Sequence, residues 1–173
     1  MNKMREVVLE KVTLNIGVGE AGEKLENAKR LLEKITEMKP IPTKARVRNP
    51  TFKIRQGDNI GAKVTLRGAK AEDVTKKSLD TLDFKLLTTN FDTGGNFSFG
   101  VKEYIDYPGL KYDPKIGMMG FDVCVTLKRR GYRVAKRRVA RAKISQKHRV
   151  TKEEAIEFAK KQFGAKVEEP SEE

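Results

Sequence analysis

The chain has 173 residues and a formal net charge of +13, from 37 lysines and arginines against 24 aspartates and glutamates. Its single cysteine excludes an internal disulfide, and one cysteine with one histidine cannot supply the ligands of a structural zinc site. No apolar run approaches the roughly 20 residues of a membrane helix, and the N-terminus lacks the apolar core of a signal peptide. We therefore expect a cytoplasmic protein with no membrane partner that binds a polyanion.

The positive charge is concentrated in two stretches without acidic residues. Residues 128–149 hold 11 lysines and arginines, and residues 39–57 hold six. The rest of the chain has 20 basic and 24 acidic residues, a net charge of −4. Ordinary solvated surfaces intersperse both signs, because like charges at close range repel. The two stretches therefore favour polyanion binding over a merely solubilising surface.

The first predicted elements are a strand, a helix and a hairpin. Residues 11–16 alternate polar and apolar side chains, the period of a half-buried strand. Apolar residues at helical spacing predict a helix over 23–38, which ends before Pro40 because proline disfavours helical geometry in its predecessor. Alternation over 52–55 and again over 60–67, on either side of a turn, predicts a β-hairpin.

The second half of the chain repeats the mixture of helix and strand. Apolar spacing predicts a helix over 69–87, and alternation predicts strands over 97–101 and 119–127. A last helix begins at Thr151, where Glu154 completes a capping box, and ends near Gly164. The final residues, 168–173, are predicted to be an acidic mobile tail.

The order β-α-β-β-α-β-β-α predicts an α+β fold, a mostly antiparallel sheet with helices packed on one face and an open basic face. We expect a single domain over 1–167 that includes the basic extension 128–149. If the apolar set of each strand packs under the helices, the polar set shares the open face. That set is Lys11, Thr13, Asn15, Lys53, Arg55, Lys63, Thr65 and Arg67.

The residue types on this face indicate which polyanion it binds. Single-strand readers stack bases on sheet-face aromatic rings. Here Phe52, Phe97, Phe99 and Phe121 fall on the apolar set, so a stacking platform is disfavoured. Lysine, arginine, threonine and asparagine suit phosphates, ribose hydroxyls and the shallow minor groove of folded RNA. The predicted ligand is structured RNA.

One motif competes with this interpretation. Residues 17–22, GVGEAG, fit the G-x-G-x-x-G dinucleotide fingerprint and lie between a predicted strand and a helix. The acid at the expected distance, Glu37, falls inside the helix rather than after a second parallel strand. A tight turn that needs small residues at positive φ explains the glycines equally well. We predict no catalytic residues, no cofactor and no metal site, so the chain is not expected to be an enzyme.

Several segments resemble a known family. They are TLNIGVGEAG (13–22), KPIPTKAR (39–46), FKIRQGDNIGAKVTLRG (52–68), GGNFSFGVKEYI (94–105), YDPKIGMMGFDVCV (112–125) and HRVTKEEAI (148–156). In order and spacing, the chain resembles the universal large-subunit ribosomal protein family that is numbered five in bacteria and eleven in eukaryotes. The basic extension after Leu127 resembles the archaeal and eukaryotic branch.

The resemblance implies binding to 5S rRNA in the central protuberance of the large subunit, beside other ribosomal proteins. By motif, Asn15 and Thr65 correspond to RNA-contacting residues, and the rest of the implied 5S rRNA site shares their face. The full implied site is Lys11, Thr13, Asn15, Lys63, Thr65 and Arg67. A glutamine that many members use for RNA contact is Met38 here, so that contact is not carried over.

Three further contacts are implied or expected. The family approaches P-site tRNA with a basic loop, which here holds Arg46, Arg48, Lys53, Arg55 and Gln56. The family also bridges to a small-subunit head protein, a contact expected near 108–117. The basic extension is expected to bind large-subunit rRNA through Lys128, Arg129, Arg130, Arg133, Lys136, Arg137, Arg138 and Arg141. The alternatives are a general structured-RNA-binding protein or chaperone and, against the weight of the glycine-motif argument, a dinucleotide-binding enzyme.

Overall fold

The computed structural model describes residues 2–20 and 22–169. The strands are β1 (Val7–Gly17), β2 (Ile41–Lys44), β3 (Asn59–Leu66), β4 (Lys85–Leu87), β5 (Phe97–Val101), β6 (Phe121–Arg129) and β7 (Lys166–Glu168). The helices are α1 (Glu23–Thr36), α2 (Ala69–Asp80), the single turn α3 (Arg133–Lys136) and α4 (Lys152–Phe163). An antiparallel sheet has the order β2-β3-β1-β6-β5, and β4 pairs in parallel with β7. The α+β architecture confirms the sequence prediction.

The hydrophobic core lies between this five-stranded sheet and the helices. Alternate residues of β1, Val12, Leu14 and Ile16, are buried, and the matching positions of β3, β5 and β6 are buried with them. α1, α2 and α4 close the core with their apolar stripes. Each fully buried leucine or valine contributes about 1.5–3 kcal/mol relative to an exposed one, so the helices are held firmly to this face.

The last long helix begins as the sequence predicts. The Thr151 hydroxyl accepts a hydrogen bond from the Glu154 amide at 3.4 Å, and the Glu154 carboxylate accepts one from the Thr151 amide at 3.2 Å. These reciprocal bonds satisfy amides that a helix start leaves without partners. Gly164, at φ +70°, ends the helix in the left-handed conformation that glycine tolerates best.

The predicted hairpin is wrong in its first strand. β3 pairs with β2, through Ile41 opposite Lys63 and Pro42 opposite Ala62, and residues 52–55 lie in the loop between these strands. Lys53 has φ +55°, a left-handed conformation that a strand residue does not adopt. The strand β2 was not predicted because it contains Pro42, and proline is rare inside sheets. It is tolerated here because β2 is an edge strand, where a residue without an amide proton need not leave a neighbour unpaired.

The helix predicted over 69–87 and the predicted tail also need correction. α2 ends at Asp80, and Asp83 and Phe84 have φ values of +51° and +58° that turn the chain into β4. Leu86 is buried as a strand residue, although it falls at helical spacing from Leu82. Glu168, the first residue of the predicted tail, belongs to β7, which pairs with β4; residues 170–173 lie outside the described part of the chain.

Candidate nucleic-acid interface

The sheet face opposite the helices, called the outer face below, carries the polar residues of β1 and β3. Thr13 lies directly opposite Thr65, and Asn15 lies opposite Lys63. Side chains of such cross-strand pairs are about 5 Å apart at Cβ, so these four form a contiguous patch. Lys11 lies on the same face opposite Thr126 of β6. The structure therefore brings together five of the six residues of the implied 5S rRNA site.

The exposure of this patch fits hydrogen bonding and charge contact. Lys63 and Arg67 are exposed, while Lys11, Thr13, Asn15 and Thr65 are half-buried. Within residues 2–20 and 22–169, the cations Lys11, Lys63 and Arg67 form no ion pair with a carboxylate. A phosphate could thus meet them without displacing an internal partner.

The outer face is more mixed in charge than the sequence predicted. Lys53 and Arg55 are not on it, because they lie in the loop between β2 and β3. The neighbouring strand β6 adds an exposed acid, Asp122, directly opposite Asn15. Glu10 of β1 adds a second acid near Lys128. The sequence predicted an acid-free face from residues 11–15, 53–55 and 63–67 only. That β6, with its acid, lies beside β1 follows from the strand order, which the sequence does not reveal.

The position of the aromatic rings excludes a stacking platform on this face. Phe97, Phe99 and Phe121 are buried in the core at 2–6% exposure, as the alternation predicts. Phe52 differs, since it is 70% exposed in the loop between β2 and β3. Phe52 alternates with Lys53 and Arg55 in sequence, but these residues lie in a loop, so the alternation does not indicate a strand.

Residues 45–58, called the β2–β3 loop below, extend the β2–β3 ladder away from the body. Ala45 and Asp58 are joined by a backbone hydrogen bond of 2.8 Å, and Asn49 pairs with Ile54 nearer the tip. At the base of the loop, a Cβ on Gly61 would lie 2.6 Å from the Ile16 carbonyl oxygen, so only glycine fits where the strands converge. All of the predicted tRNA-proximal residues are exposed on the loop: Arg46, Arg48, Lys53, Arg55 and Gln56.

Residues 128–149, called the basic segment below, are fixed to the body at their first residues. Arg129 is buried at 7% exposure and pairs with Glu154 of α4. Arg130 pairs with Glu6 at 3.2 Å, and both Lys128 and Lys136 pair with Glu10. Four of the eight predicted RNA-binding residues thus have partners inside the protein. The other four are exposed and form no ion pair in the described residues; they are Arg133, Arg137, Arg138 and Arg141.

The electrostatics at Glu154 show how firmly this end is held. Burial by itself would raise the pKa of the Glu154 carboxyl. The hydrogen bonds from Arg129 and from the Thr151 amide outweigh burial and leave that pKa below its usual value. One carboxylate therefore caps α4 and neutralises the buried guanidinium of Arg129, which makes Arg129 a structural residue.

The C-terminal end of the basic segment packs against its N-terminal end. His148 Nε2 lies 2.9 Å from the Arg130 carbonyl oxygen, and the His148 ring lies 6.1 Å from that of Tyr132. Val150 is buried against Gly95, where a Cβ would lie 2.5 Å from a methyl of Val150. The segment is therefore a closed loop, with its free arginines between two anchored ends.

The glycine motif has the geometry of a turn. β1 ends at Gly17, and Gly19 and Gly22 have φ values of +82° and +141° before α1 begins. The strand that pairs with β1 after α1 is β3, and it is antiparallel. The dinucleotide fingerprint requires a parallel β-α-β unit, so the cofactor alternative loses its structural basis.

Membrane spans and metal clusters are both missing from the described residues. No helix in that part of the chain is long and apolar enough to cross a membrane. No group of three or more histidine, cysteine, aspartate or glutamate side chains there is arranged to hold a metal ion.

Exposed cations that form no ion pair within the described part of the chain surround an antiparallel sheet, with polar hydrogen-bonding residues between them. These features define a basic α+β protein of the nucleic-acid-binding class. Comparison with known families makes this specific. Residues 2–55 match the family model described as Ribosomal protein L5, and residues 59–158 match the model of the C-terminus of the same ribosomal family. The chain belongs to this ribosomal protein family.

Relatives of archaeal origin support the assignment over nearly the whole length. A large ribosomal subunit protein uL5 from Nanoarchaeum equitans is 50% identical, with 95% of this chain and 97% of the relative covered. The protein of the same description from Sulfolobus acidocaldarius is 49% identical over 96% and 93%, and that from Archaeoglobus fulgidus 52% over 91% and 88%. The predicted family and its archaeal-type branch are confirmed. The chain is a large-subunit constituent of the cytoplasmic ribosome, and its relatives are ribosomal proteins rather than enzymes.

Proposed function

We propose that residues 1–167 form one RNA-binding domain that holds 5S rRNA in the central protuberance of the large subunit. The outer face binds the 5S rRNA, the basic segment binds large-subunit rRNA, and the β2–β3 loop reaches toward P-site tRNA. Binding works by charge neutralisation and hydrogen bonding matched to the shape of folded RNA.

The patch on β1 and β3 is the observation that carries the 5S rRNA assignment. Thr13, Asn15 and Thr65 offer hydroxyl and amide groups to ribose and base edges. Lys63 lies beside them and forms no ion pair within residues 2–20 and 22–169. Arg67 continues the row just beyond the end of β3. This combination suits helical RNA, whose shallow minor groove displays 2′-hydroxyls and base edges and whose phosphates can be contacted across that groove.

The β2–β3 loop supports the tRNA contact by its shape and exposure. A two-stranded extension with an exposed Phe52 near its tip and arginines along its sides can reach a ligand beyond the sheet. Its cations remain available because none pairs with a carboxylate among the described residues.

The loop at 108–117 supports the bridge to a small-subunit head protein and to neighbouring proteins of the protuberance. Asp113 fixes it, because its carboxylate pairs with Lys34 of α1 at 2.5 Å and its amide donates to the Tyr104 hydroxyl at 2.9 Å. Tyr112 and Met118 are more than half exposed on and beside this anchored loop. Exposed apolar side chains on a fixed loop suit a protein contact.

The 5S rRNA assignment is tested by filter binding with 5S rRNA and a length-matched unrelated RNA at physiological salt. We expect Arg67→Ala and Thr65→Val each to lower the affinity for 5S rRNA by about fivefold to tenfold, which is one phosphate contact or one hydrogen bond. Arg30→Ala is the matched control, because Arg30 is exposed on α1 in the helical layer. Cys124→Ser, a nearly isosteric change on the outer face opposite Thr13, should also leave the affinity unchanged.

Two outcomes would overturn the assignment. Unchanged affinity in folded Arg67→Ala and Thr65→Val variants would remove the outer face from the 5S rRNA site. Equal affinity of the unaltered protein for both RNAs would instead favour a general RNA-binding protein or chaperone.

A further inference from the structure

β1 contains one residue more than its partner β6, and that residue is Glu10. Leu9 lies opposite Leu127, but Lys11 lies opposite Thr126, so the register shifts by one between them. Such a β-bulge places two residues against one and redirects the side chains at that point. Bulges that re-aim a side chain are frequent beside functional sites.

The redirected carboxylate of Glu10 lies among lysines. Its side chain is only 11% exposed, and it accepts a hydrogen bond from Lys136 of the basic segment. Lys128 Nζ is 3.9 Å away, and Lys11 is the next residue along β1. Burial would raise the pKa of Glu10, but Lys136 and the other two lysines more than compensate, so the carboxyl stays ionised at neutral pH.

An acid in this place has a cost for RNA binding, since it repels phosphate. It also has a structural consequence, because three lysines converging without it would repel one another. Glu10 instead binds Lys136, although the two residues are 126 positions apart in sequence. This contact ties α3 to β1.

We propose that Glu10 is a positioning residue for RNA binding, which holds the basic segment beside the outer face so that its free arginines are ordered before RNA arrives. The inference rests on the proposed function of the basic segment. Ordering a long charged segment on binding costs free energy for each immobilised side chain, and fixing it beforehand removes part of that cost.

The proposal is tested with Glu10→Gln in the full chain, with large-subunit rRNA and 5S rRNA as the two probes. Simple electrostatics predicts tighter binding, because the substitution removes a negative charge. We expect the opposite: the affinity for large-subunit rRNA falls by about fivefold to tenfold, and that for 5S rRNA changes by less than about twofold.

Glu6→Gln is the matched control. Glu6 pairs with Arg130 at the same end of the segment, but both side chains are more than half exposed, so the pair holds little. We expect this variant to bind both RNAs as well as the unaltered protein or slightly better. Tighter or unchanged large-subunit rRNA binding by a folded Glu10→Gln variant would overturn the positioning role.

A second measurement, amide hydrogen exchange, reports the order of the segment directly instead of through RNA affinity. It also keeps the proposal testable if Glu10→Gln folds poorly. Lys136→Met breaks the same ion pair from a residue whose side chain is 60% exposed. Amide hydrogen exchange at Ala135 and Arg137, which are hydrogen-bonded within this turn, should accelerate while exchange in β1 and β3 stays unchanged. Unchanged exchange at both amides would overturn the proposal. If the unaltered protein binds large-subunit rRNA no better than unrelated RNA, the proposed function of the segment fails instead.

Discussion

The β2–β3 loop and the basic segment have similar compositions but opposite modes of attachment. They lie at opposite ends of the sheet, since Gly17 pairs with Gly61 at one end and Val7 pairs with Arg129 at the other. In the described residues, the loop has no ion pair with the body. It keeps its shape by backbone pairing and by local side-chain acceptors, with Asn49 accepting from the Thr51 amide and Asp58 from the Arg55 amide. The segment forms ion pairs with three glutamates of the body, of which Glu10 and Glu154 hold it and the exposed Glu6 contributes little.

This difference shows that a count of basic residues does not measure the charge available to RNA. Of the 11 lysines and arginines in the segment, four neutralise carboxylates of the body, and they all lie in its first nine residues. None of the loop's lysines and arginines pairs with a carboxylate in the part of the chain that the structure describes. A projecting hairpin suits a ligand at a distance, whereas an anchored segment suits RNA packed against the protein.

The largest effect is expected from breaking the deepest anchor of the segment. Glu154→Ala leaves the buried guanidinium of Arg129 without its carboxylate and removes the capping box of α4. We expect the free energy of unfolding to fall by about 3 kcal/mol, measured by urea denaturation.

The control for this anchor is Glu157→Ala. Glu157 pairs with Lys161 on the same helix, but both side chains are about 70–80% exposed, so the expected loss is below about 0.5 kcal/mol. On the other side of the comparison, Arg48→Ala in the loop should also cost less than about 0.5 kcal/mol. Similar losses in all three variants would show that the segment is no better anchored than the loop.

Most of the core could be predicted from the sequence, because burial imposes a visible period. Val12, Leu14 and Ile16 alternate, and the capping box at Thr151 marks a helix start by two side chains three residues apart. β2 could not be predicted, because a four-residue edge strand with Pro42 resembles a turn. The first residues of β1 were missed because the bulge at Glu10 shifts the period between Leu9 and Val12.

The candidate site was only partly predictable, for a related reason. The residues of one strand face can be found by alternation, which identified Thr13, Asn15, Lys63 and Thr65 correctly as neighbours. Ion pairs between distant positions leave no local pattern, so nothing near Arg129 in sequence indicates that it is buried against Glu154. The identity of Asp122 as a member of the outer face likewise depends on strand order.

A second test compares the loop and the segment in their RNA preferences. Replacing Arg133, Arg138 and Arg141 of the segment by alanine should lower the affinity for large-subunit rRNA by roughly 100-fold and flatten the log K against log salt slope by about 2–3 units. Replacing Arg46, Arg48 and Arg55 of the loop should leave both rRNA affinities within about threefold. The loop variant should instead weaken P-site tRNA binding by reconstituted subunits.

This comparison is internally controlled, because each variant loses three exposed arginines. The division of roles would be contradicted by equal losses of large-subunit rRNA affinity in the two variants. Binding of 5S rRNA should change little in either, since the outer face is intact in both.

The smallest expected effect is on the pH dependence of stability below neutral pH. It distinguishes the basic segment, which is anchored by the Glu154 carboxylate, from the β2–β3 loop, which has no such anchor in the described residues. The pKa of Glu154 is lowered in the folded protein, because the hydrogen bonds of Arg129 and Thr151 outweigh burial, so the unfolded chain takes up this proton more readily than the folded one. The stabilisation is therefore fully present above the usual carboxyl pKa of 4.5 and is lost as the pH falls through the lowered folded value. In urea unfolding from pH 7 to pH 3, the stability difference between the unaltered protein and Glu154→Gln should be constant above about pH 5.5 and shrink below about pH 4.5. The unfolding free energy of the loop variant Arg48→Ala should instead match that of the unaltered protein at every pH. A stability difference for Glu154→Gln that persists to about pH 3 would show that the charge of Glu154 does not hold the segment.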